Sequence, residues 1–212
     1  MEKFVKMRNN KAKDKVLSNL KKRKFEAYYC ETKKEALEMA LSLIPEDDVV
    51  SWGGSVSAEE IGLIDAVKKS RKVIDRDTAK TPEEAFELRR QGLLADSFIM
   101  GTNAISEDGQ LVNIDGTGNR VAALCFGPKN VIVICGMNKL VKTVEDAYQR
   151  AHTVAAPINA QRFEGLGTPC EISGNCADCL SDNCICCSVV VTRACKPAGK
   201  IKVILVGESL GF

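Results

Sequence analysis

Strand-like and helix-like segments alternate singly from one end of this chain to the other, and that alternation restricts the fold more than any other feature. A helix between successive single strands carries the chain back over one face of a sheet, which implies a mostly parallel sheet covered on both faces. "KAKDKVLSNLKKR" places Ala12, Val16, Leu17 and Leu20 on one helical face, and "FEAYYC" follows as a strand. Thr32 with Glu35 has capping-box spacing for a helix that turns Ala36, Leu37, Ala40, Leu41 and Ile44 inward and stops before Pro45. "DDVVSW" reads as a buried strand leading to a Gly-Gly loop, with Ser57 and Glu60 as the next capping box. "RKVID" is a strand, and Thr81, Pro82 and Glu84 start another helix.

The second half continues in the same way. "ADSFIMG" is a strand, and "NAISEDGQLVNID" a hairpin about Asp108-Gly109. "GNRVAALCFG" is a short helix, "NVIVICG" a fully buried strand, and "TVEDAYQRAHTVAA" a helix ended by Pro157. "SVVVTR" and "KIKVILVG", joined around "KPAGK", read as a C-terminal hairpin. The expected fold is therefore α/β, three layers with helices on both sheet faces and antiparallel hairpins added. With 212 residues and no repeat or low-complexity linker, residues 25–212 form one domain behind a basic helix at 1–24.

Charge is unevenly spread. Residues 1–24 hold ten Lys or Arg against Glu2 and Asp14, about +8, so the overall +2 leaves the remainder near −6. Only Phe4 is aromatic in that run, so a base-stacking nucleic-acid surface is not expected and a solvated helix face is. No apolar run is long enough to span a bilayer, and "MEKFVKMRNNKAK" lacks the core of a secretion signal, so a cytoplasmic location is expected.

Two glycine loops follow expected strands, where open α/β sheets hold ligands. "SWGGSVS" offers Gly53, Gly54 and Ser55; "NIDGTGNR" offers Asn113, Gly116, Gly118, Asn119 and Arg120, with Arg120 to pair with an anion. A small anionic ligand is the expected occupant. A nicotinamide dinucleotide is not, because Val121 stands where the fingerprint's third glycine belongs and no acidic residue follows at the usual distance. Glu107 and Asp115 flank the hairpin strand as candidate acid, base or nucleophile. His152 reads as a structural histidine beside apolar neighbours.

Six of the ten cysteines fall within residues 170–187. Thiols in a reducing compartment point to metal or redox chemistry rather than a disulfide framework. Cys170, Cys176, Cys179 and Cys186 give a C-x5-C-x2-C-x6-C set around a C-x-x-C bend, and Cys184, Cys187 and Cys195 are extra. With no histidine nearby in sequence, the site is expected to be all-sulfur, suiting zinc or an iron–sulfur cluster.

The stretches "SWGGS", "GTNAISEDGQLVNIDGTGNRVAALCFGPKNVIVICGMNK", "AAPINAQR" and "ILVGESLGF" resemble the LUD-domain family, the proteins associated with lactate utilisation, over essentially the whole chain. The family's cysteine-bearing subgroup is similar in its "TPC…C-x-x-C…C" pattern. The resemblance implies a fold similar to sugar-phosphate isomerases and coenzyme A transferases. It also implies a role beside iron–sulfur proteins that oxidise lactate, a 2-hydroxy acid, and favours a 4Fe-4S cluster over zinc. "SEDG" resembles the "SENG" of coenzyme A transferases, with Asp108 where Asn is expected, which makes Glu107 the nucleophile of a transferase alternative. A further alternative is a non-catalytic regulatory or assembly subunit.

Overall fold

Backbone segments apolar at every position are stable only where both sheet faces are covered, and two such segments form the middle of this protein. The computed structural model describes residues 2–212; Met1, the first residue of the expected basic helix, lies outside them. The main sheet has six strands: β1 (Glu26–Cys30), β2 (Val49–Trp52), β3 (Lys72–Ile74), β4 (Ser97–Gly101), β7 (Asn130–Gly136) and β10 (Ile201–Val206). Their order is β1-β10-β7-β4-β2-β3, and every pair is parallel. The helices are α1 (Glu2–Lys22), α2 (Lys33–Ser42), α3 (Val56–Glu60), α4 (Leu63–Ser70), α5 (Pro82–Gly92), α6 (Asn119–Cys125), α7 (Val144–Arg150), α8 (Ala156–Ala160) and α9 (Pro169–Ser173).

The pleat splits β7 and β10 between two cores. Val131, Val133, Val203 and Leu205 meet Val16 and Leu20 of α1 and Ala123 and Leu124 of α6 on one face. Ile132, Ile134, Ile204 and Val206 meet Ala36 and Ala40 of α2 and Leu63 and Val67 of α4 on the other. This is the expected parallel α/β sheet with helices on both faces. A second sheet, β8-β5-β6-β9, comprises β5 (Ala104–Ser106), β6 (Leu111–Asp115), β8 (Leu140–Val141) and β9 (Ser188–Thr192). Ile105, Leu111 and Leu140 of this sheet join the α1-side core. Among the described residues no helix is long and apolar enough to cross a membrane.

The structure corrects three sequence expectations. The C-terminal hairpin does not form: β9 pairs antiparallel with β6, whereas β10 lies in the main sheet between β1 and β7. The exposures explain the separation, because Val203–Val206 are wholly buried while Val189 and Val191 of β9 face outward, as suits an edge strand. Pro157 does not end its helix. A π-helical turn over Ala151–Ala155, in which the Ala156 N–H reaches Ala151 O, passes directly into α8 with Pro157 in its first turn. The wider turn removes the backbone geometry that a proline ring disturbs. Finally, Ser55 rather than Ser57 caps α3, accepting from the Ala58 N–H. That leaves Ser57 to accept from Lys139 at 2.9 Å.

Candidate functional site

At the carboxyl ends of β2, β4 and β7 the connections diverge and leave a cavity of about 390 Å³. The two glycine loops meet there: Gly54 and Ser55 line it from one side, Gly116 and Asn119 from the other. Gly53 lies just behind. A Cβ at Gly53 would stand 2.7 Å from Cγ and 2.9 Å from Cδ of Arg120, so its missing side chain admits the arginine stem. Gly118 supplies the left-handed residue (φ +82°) that starts α6.

The donors of Arg120 are committed to the protein. Its Nη1 donates to Gly101 O (3.2 Å) and Asn113 Oδ1 (2.8 Å), and its Nη2 to Asn103 Oδ1 (3.2 Å) and Ile114 O. Asp115 Oδ2 lies 3.7 Å from Arg120 Nε. The Asp115 carboxylate also accepts the N–H groups of Gly118, Arg120 and Val121, which fixes the start of α6. Asn113 is fully buried behind this network and does not line the cavity. Arg120, Asp115 and Asn113 thus form a rigid wall between the hairpin and the main sheet.

The cations with donors to spare come from elsewhere. Arg76 follows β3, Arg89 projects from α5, Lys139 follows β7 and Arg162 follows α8, and all four line the cavity. Nε of Arg89 is buried without a hydrogen-bond partner. Lys139 is 4% exposed, and its one hydrogen bond found among the described residues goes to the Ser57 hydroxyl. Burial, with smaller contributions from Arg150 and Arg120, pulls its ammonium down from 10.5 to about 8. Sequence reasoning missed all four. Lys139 did leave one signal, a lysine between Met137 and Leu140 just past the carboxyl end of the most apolar strand.

Glu107 lies outside the cavity, in the turn between β5 and β6. There its Oε2 accepts from Lys15 (2.9 Å) and Lys142 (2.8 Å), and the two ammonium groups, Lys142 foremost, draw its carboxyl down to about 2.

A second cavity, of about 170 Å³, opens beneath the cysteine loop. Cys170, Cys176, Cys179 and Cys186 all line it, and Cys184 makes a fifth. Cys170 sits in α9, where Thr168 caps the helix and its hydroxyl lies 3.3 Å from the sulfur. Burial, reinforced by Cys184, Cys170 and Cys176 as like charges, pushes the Cys186 thiol up to about 12. A hydrogen bond from Ser181 pulls Cys179 the other way. Among the described residues no three histidine, cysteine or carboxylate side chains are already gathered as a ligand set for one metal ion.

His152, the only histidine in the chain, lines this same cavity. It belongs to the π-helical turn, its ring lies 4.4 Å from that of Tyr148, and its Nε2 is buried without a partner. The cysteine-lined and cation-lined cavities share one residue, Ile185, which stands between Cys184 and Cys186 in sequence. A Cβ on Gly116 would lie 3.3 Å from the Ile185 Cα, so the second glycine loop lets the cysteine loop approach.

The LUD domain family model matches residues 13–206. A crystal structure of a DUF162 family protein from Deinococcus radiodurans superposes with a TM-score of 0.54 at 12% identity, covering 94% of this chain and 98% of that one, a likeness of fold. Ribose 5-phosphate isomerase A from Methanocaldococcus jannaschii aligns over 53% of this chain and 55% of its own (18% identity, TM-score 0.34). For eIF2B delta from Chaetomium thermophilum the values are 54% and 52% (22% identity, TM-score 0.33). No curated protein matches the chain by sequence.

Proposed function

The chain belongs to the LUD-domain family, and from that footing we propose that it is a redox component of 2-hydroxy acid (lactate) utilisation. In this reading it holds a small anionic ligand beside a thiolate-bound iron–sulfur cluster, in the cytoplasm and in company with iron–sulfur partner proteins. The observation that carries the proposal is Ile185, which lines both the cationic cavity and the one lined by five cysteines.

The donor set supports a cluster. Five cysteines line one cavity, an all-sulfur donor set of the kind that holds iron–sulfur clusters. Cys170, Cys176, Cys179 and Cys186 are the proposed ligands, and Cys184 lines the same cavity. When bound, a 4Fe-4S cluster supplies one-electron transfer. The protein's own part is to hold the ligand. Arg76, Arg89, Lys139 and Arg162 attract the anion, Ser55 and Ser57 add hydroxyls, and the Arg120–Asp115 wall keeps the two loops in register. His152 is the group available to donate a hydrogen bond to a ligand sulfur from its unpartnered Nε2. The coenzyme A transferase alternative loses its support, since Glu107 is tied to two lysines away from the cavity.

Protein purified without air tests the proposal. It is expected to be brown, with iron and acid-labile sulfide in equal amounts. Colourless protein holding one equivalent of zinc would remove the redox role and leave a structural metal.

A further inference from the structure

We propose that the natural ligand of the anion cavity carries a phosphoryl group rather than a lone carboxylate, as a small phosphate monoester. The inference rests on reading this cavity as an anion site and names the class of anion.

Charge balance comes first. Asp115 is the one acidic side chain among the described residues lining the cavity, and it is consumed by the start of α6 and by Arg120. Against it stand Arg76, Arg89, Lys139 and Arg162 in addition to Arg120. Arg76 has Asp77 3.6 Å from its Nε, whereas Arg89, Lys139 and Arg162 make no ion pair found among the described residues, so a monocarboxylate would offset only one of these three. A phosphate monoester brings close to two negative charges and three acceptor oxygens.

The donors also match. Lys139 is a buried ammonium with a hydroxyl as its partner, a state that is costly unless an anion arrives. Its lowered affinity for protons has the same origin, and a dianion alongside would restore it. Arg89 holds an unused buried N–H, and arginine forks suit tetrahedral oxyanions. Size agrees, because about 390 Å³ is within the range of roughly 300–1,000 Å³ typical of pockets for organic ligands.

The test is titration calorimetry of the full chain with glycerol phosphate, inorganic phosphate and L-lactate at matched ionic strength. Glycerol phosphate is expected to bind at least about tenfold more tightly than lactate, since several charge-assisted hydrogen bonds distinguish them. Lys139→Met and Arg89→Gln should each weaken it about tenfold or more while circular dichroism stays unchanged. Two variants are used so that a folding defect in one does not decide the matter. Inorganic phosphate binding as tightly as the monoester would place the recognition in the phosphoryl group itself and uphold the proposal. Lactate binding as tightly as either phosphate, or both variants binding as wild type, would overturn it. Iron and sulfide measured on the same preparation keep the readings apart: their absence removes the redox role only, and a preference for lactate in iron-loaded protein removes the phosphoryl ligand only.

Discussion

Lys139 shows how a single residue serves a site at the expense of the fold. Its ammonium titrates at about 8 in the folded chain against 10.5 for an unburied lysine. Between those values the unfolded chain binds more protons, so this residue's contribution makes stability rise with pH from about 8 to about 10.5. Below 8 its full cost is present. Lys139→Met should therefore be more stable than wild type at pH 7, by up to about 3 kcal/mol, with the gain shrinking toward pH 10.5. Urea unfolding at pH 7 and pH 10 measures both, and a variant less stable at pH 7 would contradict the assignment. Glu107 behaves in the opposite sense. Its carboxyl lies well below 4.5, so the stability it contributes is present above 4.5 and is lost as pH falls through about 2. Its lysine partners are exposed, so Glu107→Gln should lower the unfolding free energy by about 1 kcal/mol or less at pH 7 and leave ligand binding intact, as unfolding and calorimetry would show. His152 offers a third residue-scale outcome. His152→Phe should make the cluster harder to reduce in a redox titration while His152→Gln, which keeps an N–H, stays close to wild type; equal potentials in all three would exclude the hydrogen bond.

At the scale of elements, what the sequence discloses depends on how local the cause is. Thr32, Thr81 and Pro82 announce their helices because a cap is satisfied within four residues, and both caps form. The glycine loops were visible for the same reason, each being a short motif after a strand. The continuation through Pro157 was not visible, since a π-helical turn is set by packing and not by local preference. That turn is also why His152, ordinary in sequence, arrives at the cysteines. Gly53 lies between these cases: its loop was legible, yet its reason, the stem of Arg120, is a tertiary contact. Gly53→Ala should force that stem aside and cost about 1–3 kcal/mol in thermal or urea unfolding, with weaker anion binding; wild-type values for both would show that the stem has room to shift.

For the molecule as a whole, the alternation of single strands and helices was enough to give the parallel sheet and its two cores, because runs such as Val131–Ile134 have no other stable place. Strand order was beyond it. Nothing in "SVVVTR" and "KIKVILVG" tells one run to enter a different sheet from its neighbour, and that choice is what carries the cysteine loop across to the glycine loops. Arg76, Arg89, Lys139 and Arg162 were hidden for the same reason, being gathered from three separate connections by the topology. The cysteines were legible as a spacing; their closeness to the cation-lined cavity was not. That closeness, through Ile185, is what the proposed function rests on. It is tested most directly by the electron paramagnetic resonance spectrum of the reduced, anaerobically purified protein, recorded with and without glycerol phosphate. If a cluster and an anion share the Ile185 wall, the signal shifts when the cavity fills and the shift is lost in Lys139→Met. An iron–sulfur signal unchanged by a ligand that calorimetry shows to be bound, or no such signal at all, would contradict it.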